Sequence, residues 1–353
     1  MNISTTPSAQ KKARPADGKL GFGQVFTDHM FLMNYDPKQG WRDARIVPYG
    51  PLALDPATMV FHYGQAIFEG LKAYRTPANA VQLFRPMANL ERFNRSADLL
   101  CIKRFDAEFA LSAIKKLVDL ERDWVPSAPG TSLYIRPFII ATDAFLGVRA
   151  SATYLFAVIL SPVGAYYPEG FAPVKIWVSK SHVRAVKGGV GEAKTAGNYA
   201  ASLLAGEKAH DQGYTQVLWL DGVERKFVEE VGSMNIFFII NGELTTPALN
   251  GSILPGITRD SVIRLGKHWD MPVSERAISI DEVFLAHESG ALTEVFGTGT
   301  AAVISPVGEL RYGDRTITIG HGKVGPMAEK FYKAITDIQY GLAEDVLGWI
   351  EPV

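Results

Sequence analysis

The chain has 353 residues, 47% of them hydrophobic and 21% charged, which suits about two domains with sizeable cores and a wet surface. Its 36 basic and 37 acidic side chains leave a net charge of −1, so no global basic field exists for nucleic acid. The longest clean apolar run, Tyr154–Leu160, falls far short of the roughly 20 residues of a membrane span. A single cysteine, Cys101, excludes an intrachain disulfide or a cysteine-rich zinc site and suits a reducing compartment; the N-terminal residues, weak as a targeting signal, favour the cytoplasm over an organelle.

Residues 1–20 are polar, lack the apolar stretch of a signal peptide and read as a disordered tail. Val25–Asn34 and Ala44–Tyr49 have strand composition. Asn89–Leu100 reads as a helix capped by Asn89, with Leu90, Phe93, Ala97 and Leu100 at helical spacing. A second helix runs from about Asp106 to Asp123 and stops at Pro126. Strands follow at Ser132–Thr142, where Pro137 argues for an edge or a bulge, and at Tyr154–Leu160. The Pro- and Gly-rich stretch 161–170 marks a domain boundary.

Beyond it, strands are expected at Val174–Ser179, Thr215–Leu220, Glu224–Val231 and Asn235–Ile240, with turns at Asp221-Gly222 and Asn241-Gly242. Helices are expected at about Asn198–Asp211, Thr258–Trp269 and Pro326–Tyr340, the last with Pro326 at its first turn and Gly341 just past its end. The class is α+β, divided into a smaller domain at 21–163, a loop at 164–174 and a larger domain at 175–353.

The chemistry-bearing segment is Gly188-Gly-Val-Gly-Glu-Ala-Lys194-Thr-Ala-Gly-Asn-Tyr199. Small neighbours let a bulky group approach the backbone and leave Lys194 poorly solvated, as suits a Schiff-base lysine. A surface lysine on a Gly-rich loop is the competing reading. A second rival is a phosphate-binding P-loop, G-x-x-x-x-G-K-[ST], with Asp221 as its metal-binding acid. That pattern needs Gly where Ala193 stands, and Asp221 precedes a turn glycine.

In Glu229-Glu230 one of two adjacent strand acids must point inward, where it needs a cation such as a protonated ring nitrogen. Leu254-Pro-Gly-Ile257-Thr258 leads into a helix N-terminus, and Phe296-Gly-Thr-Gly-Thr300-Ala301 can form a backbone nest; both suit phosphate. The seven histidines form no close ligand pair, so no catalytic metal is expected.

On F-G-Q-V-F-T-D-H-M (22–30), F-E-G-L-K-A-Y (68–74), G-T-S-L-Y-I-R-P (130–137), G-G-V-G-E-A-K-T-A-G-N-Y (188–199), E-E-V-G-S-M-N (229–235), L-P-G-I-T-R (254–259) and F-G-T-G-T-A (296–301), the chain resembles the branched-chain amino acid aminotransferases, pyridoxal 5'-phosphate enzymes of fold type IV. The resemblance covers Phe22 to about Tyr340. It implies a smaller α/β domain and a larger, mixed, β-barrel-like domain with the cofactor between them. The implied reaction is ping-pong transamination between L-leucine, L-isoleucine or L-valine and 2-oxoglutarate, yielding 2-oxo acids and L-glutamate. Relatives of the same fold that act on D-amino acids, or as lyases, are the alternative.

By the same resemblance, Lys194 carries the cofactor and acts as acid/base, Glu230 faces the ring nitrogen, and Tyr199 bonds the phenolic oxygen. Arg92, Ile257, Thr258 and Thr300 hold the phosphate. Phe22, Tyr63, Phe68, Tyr134 and Tyr166 wall the side-chain pocket, Arg136 receives glutamate's second carboxylate, and Ser233 with the Thr300–Ala301 backbone holds the α-carboxylate. Leu146 and Val148 match residues that relatives contribute across a homodimer interface. Ala302-Val-Ile-Ser305 lacks the Cys-x-x-Cys of some animal relatives, which excludes a thiol switch there.

Overall fold

The computed structural model describes residues 1–16, 20–164 and 170–353. Two compact units form. One comprises 1–166, 193–196 and 337–353; the other comprises 167–192 and 197–336.

Among the described residues, the first unit holds a nine-stranded sheet in the order Ser4–Thr5, Gly40–Pro48, His29–Asp36, Tyr154–Val163, Ser132–Ala141, Leu71–Arg75, Val81–Phe84, Ile350–Pro352, with Ala66–Phe68 also paired to Ser132–Ala141. Its pairs are antiparallel except for Ser4–Thr5 beside Arg45–Ile46. Helices Pro86–Leu99 and Ala107–Leu120 bury Leu90, Phe93, Ala97, Ile114 and Leu117 in the main core of this unit. The second helix begins at Asp106, whose side chain accepts from the Phe109 N–H, a standard cap.

Three expectations are corrected here. Residues 1–16 are not a structureless tail: the Ser8 N–H donates to His29 Nε2 at 2.9 Å and the Lys12 N–H to Asp28 Oδ1 at 2.8 Å. Asn89 is not a cap, because the helix starts at Pro86 and Asn89 lies buried inside it. Pro137 is not on an edge strand. Its strand is internal, and its carbonyl receives the Glu69 N–H at 2.8 Å. Its missing N–H therefore faces the break between Ala66–Phe68 and Leu71–Arg75, where no ladder bond is forfeited.

Among the described residues, the second unit's nine-stranded sheet runs Val228–Val231, Gln216–Leu220, Val174–Val178, Val303–Tyr312, Leu292–Gly299, Asn235–Ile240, Glu243–Pro247, Val273–Arg276, with Arg315–Thr318 added on Val303–Tyr312. It mixes parallel and antiparallel pairs. Asn241-Gly242 forms the expected tight hairpin, with φ of 51° and 78°, the primed geometry that Asn-Gly favours. The expected helix over Asn198–Asp211 is two helices, Ala196–Ala200 and Leu203–Asp211. Between them the Ser202 hydroxyl donates to the Tyr199 carbonyl, a side-chain bond that competes with helix continuation. Among the described residues, no helix is long and apolar enough to cross a membrane.

Candidate active site

In the first unit the site is built on a polar stripe of the Pro86–Leu99 helix. Asn89, Arg92 and Ser96 are all buried, at i, i+3 and i+7, beside the apolar stripe. Arg92 donates from Nε to Glu69 Oε1 at 2.7 Å and from Nη2 to Oε2 at 2.8 Å. Asn89 Nδ2 donates to the same carboxylate at 2.9 Å. Glu69 is fully buried. Burial alone would raise its carboxyl. Arg92, by charge and hydrogen bond, then Lys194 by charge and Asn89 by hydrogen bond, outweigh that and hold it below the ordinary carboxylate range.

Lys194 is clamped on both sides of its backbone. Its N–H donates to Ser96 Oγ at 3.0 Å, and its carbonyl accepts from the Phe68 N–H at 3.0 Å. Thr195 bridges to Ile67, and its hydroxyl donates to the Ala66 carbonyl. Lys194 Nζ lies 4.9 Å from the centre of the Phe68 ring. That ring also underlies Arg136, whose guanidinium carbon is 4.8 Å from its centre. Arg136 Nη2 donates to the Tyr134 hydroxyl at 3.1 Å, and Phe22 meets Tyr134 edge-on at 5.1 Å. Gly70 makes room for this tyrosine: a Cβ there would fall 2.0 Å from its hydroxyl. Lys194, Phe68, Arg136, Tyr134 and Phe22 thus form one connected group.

Tyr63 ends the short helix Met59–Tyr63, and its hydroxyl donates to the Leu146 carbonyl. Leu146 and Val148 are exposed, Val148 by 85%. Tyr166 lies outside the described residues.

In the second unit Glu230 points inward from Val228–Val231. Its Oε1 accepts from the Leu254 N–H at 3.0 Å and from Asn235 Nδ2 at 3.2 Å. Arg184 Nε lies 2.5 Å from Oε2, an ion contact rather than an aligned hydrogen bond, with both side chains buried. Glu229 is buried too, on Ser252 and Asn250. Asn235 also donates to the Leu254 carbonyl, and a Cβ on Gly256 would fall 2.0 Å from Asn235 Oδ1. The two acids' strand and the Pro-Gly turn are therefore locked together.

That turn opens the helix Ile257–His268, capped by Gly256 without a side-chain hydrogen bond, with Ile257 and Thr258 in its first turn. Ser233 sits in the turn before Asn235. Met234 packs where Gly297 and Gly299 would carry side chains, beside the turn that bears Thr300 and Ala301. Tyr199 belongs to Ala196–Ala200. Asp221 accepts from the N–H groups of Val223, Glu224, Lys226 and Phe227, so its own turn occupies the acid that a P-loop enzyme would need for metal.

Sequence reasoning missed Glu69, Ser96, Arg184 and Asn235. Glu69 had a signal: an acid between Phe68 and Gly70 in an apolar stretch demands a buried cation. Arg184 had none, because its partner lies 46 positions along the chain.

The amino-transferase class IV family model matches residues 66–310. Branched-chain-amino-acid aminotransferase 2 of Bacillus subtilis is 60% identical over 353 residues, covering 100% of this chain and 97% of its own. The solved branched-chain amino acid aminotransferase of Escherichia coli superposes with a TM-score of 0.76 at 28% identity, covering 92% of this chain and 98% of that one. The enzyme of the same name from Thermobaculum terrenum, solved in its holo form with pyridoxal 5'-phosphate, gives 0.74 at 26%, covering 91% and 97%. A lysine pinned at its backbone, a buried carboxylate held by three groups and a helix N-terminus without a side-chain cap stand where the motifs lie, and the chain belongs to the class IV aminotransferases.

Proposed function

We propose that this chain transfers the amino group of L-leucine, L-isoleucine or L-valine to 2-oxoglutarate, reversibly and by a ping-pong course, with pyridoxal 5'-phosphate as cofactor. The carrying observation is the double backbone clamp on Lys194, which fixes the lysine's root and leaves its amine on a side chain over Phe68.

The residues suit the cofactor. The helix N-terminus at Ile257 and Thr258, which carries no side-chain cap, suits phosphate, with Arg92 and Thr300 as further donors. Tyr199 donates to the ring's phenolic oxygen. When bound, the cofactor supplies the amine carrier and the electron sink. Glu230 would hold a proton on the ring nitrogen, and Arg184, Asn235 and the Leu254 N–H fix the place of that carboxylate. Lys194 Nζ is the covalent anchor and the base that moves the substrate's proton.

Phe22, Tyr63, Phe68, Tyr134 and Tyr166 receive the branched side chain, and Ser233 with Thr300–Ala301 the α-carboxylate. Arg136 has the Tyr134 hydroxyl as its hydrogen-bond partner, and its Nε is buried without one. Such a group suits the second carboxylate of glutamate. The exposed Leu146 and Val148 support a homodimer in which each copy completes its partner's pocket. A lone cysteine fits a cytoplasmic location.

The test is an amino-donor assay with 2-oxoglutarate. L-leucine should turn over and D-alanine should not, and Lys194→Ala should abolish multiple turnover. Turnover of D-alanine alone would replace the substrate assignment, and full activity in the variant would remove Lys194 from the reaction.

A further inference from the structure

Arg92 is buried, and an arginine that must wait for an anion in a dry site is costly unless a counter-charge already stands beside it. Glu69 supplies that charge through a bidentate pair whose two bonds, 2.7 and 2.8 Å, define the plane of the guanidinium. The carboxylate is itself fixed. Asn89 donates to it from three residues earlier on the same helix, and the Gly70 N–H donates to it at 3.2 Å. Neither oxygen faces solvent.

We propose that Glu69 is a positioning residue for phosphate recognition: it aims Arg92 by taking one edge of the guanidinium, so that the group keeps a single orientation when the cofactor's phosphate arrives. The proposal rests on the reading of Arg92 as a phosphate ligand. A carboxylate next to a phosphate-binding arginine weakens the arginine's long-range pull on an anion, so its use must be geometric. Preorganised donors lose less entropy on binding than donors that must first find their orientation.

The readout is the ratio of two dissociation constants. Equilibrium dialysis of the full-length holoenzyme gives one for pyridoxal 5'-phosphate; exchange into pyridoxal, which lacks the phosphate, gives the other. Glu69→Gln puts an amide N–H against the guanidinium. It should weaken binding of the phosphorylated form by roughly tenfold or more while changing pyridoxal binding by less than about threefold. Glu69→Asp keeps the charge and shortens the reach, and its ratio should fall between wild type and Gln.

Arg92→Ala should lower the ratio at least as far as Glu69→Gln, and adding Glu69→Gln to it should lower the ratio no further. Equal weakening of both ligands by Glu69→Gln would make Glu69 merely structural and overturn the proposal. So would an unchanged ratio in Glu69→Gln, or in Glu69→Asp if the Gln variant does not fold. An unchanged ratio in Arg92→Ala would instead remove the reading of Arg92 on which the proposal stands.

Discussion

Lys72 and Glu230 show two ways in which this fold tolerates buried charge. Lys72 stands opposite Tyr134 in the sheet, and burial draws its amine down from 10.5 to about 8. A lysine that is easier to deprotonate folded than unfolded costs stability wherever it is protonated in both states. Between about pH 8 and 10.5 the unfolded chain binds more protons, so this group's contribution to stability rises with pH through that window. Lys72→Met should therefore be more stable than wild type at pH 7 by up to about 3 kcal/mol. Its advantage should shrink above pH 8, as denaturant titrations at several pH values would show. Glu230 meets its counter-charge in Arg184 and hydrogen bonds from Asn235 and the Leu254 N–H. Glu230→Gln should retain cofactor but slow transamination by about two orders of magnitude or more, because the ring nitrogen loses its counter-charge. Rapid-mixing kinetics of one half-reaction would measure it, and an unchanged rate would assign the job to another group.

Helix Pro86–Leu99 carries two stripes, and the sequence displays them unequally. Its apolar stripe at Leu90, Phe93 and Ala97 is legible from spacing alone. The polar stripe at Asn89, Arg92 and Ser96 reads like a solvated face, because what buries it is Glu69 and the backbone of Lys194, both remote in sequence. The helix Ile257–His268 behaves similarly. Its position follows from Leu254-Pro-Gly, but its lock to the acid-bearing strand depends on Asn235 meeting Gly256. Gly256→Ala has no backbone penalty, since φ is −68°. The new Cβ would nevertheless displace Asn235 and loosen Glu230. We expect a cost of about 1–3 kcal/mol together with weaker cofactor retention, read by thermal unfolding and dialysis. Loss of stability without loss of cofactor would separate the helix from the site.

For the molecule as a whole, the exposed pair Leu146 and Val148 sets the assembly prediction. A charge at Val148 should leave the single chain's stability within about 0.5 kcal/mol, since nothing there is buried. Val148→Glu should nonetheless shift sedimentation from dimer to monomer and reduce activity. A dimer of full activity would place the interface elsewhere. The sequence alone displayed the candidates for chemistry: one lysine among glycines, an inward acid and two turns of phosphate-binding type are local patterns, and their order along the chain carries the family resemblance. It also determined the helices and hairpins that depend on periodicity and turn residues, such as Ala107–Leu120 and Asn241-Gly242. Only the tertiary structure decided which distant groups meet. It brought Glu69 to Arg92, set Arg184 on Glu230, drew residues 1–16 onto the first sheet and returned Ile350–Pro352 to the strand Val81–Phe84. The reason is physical: a side chain's own neighbours in sequence set its local conformation, whereas the partner that compensates a buried charge or an open strand edge is chosen by packing across the whole chain.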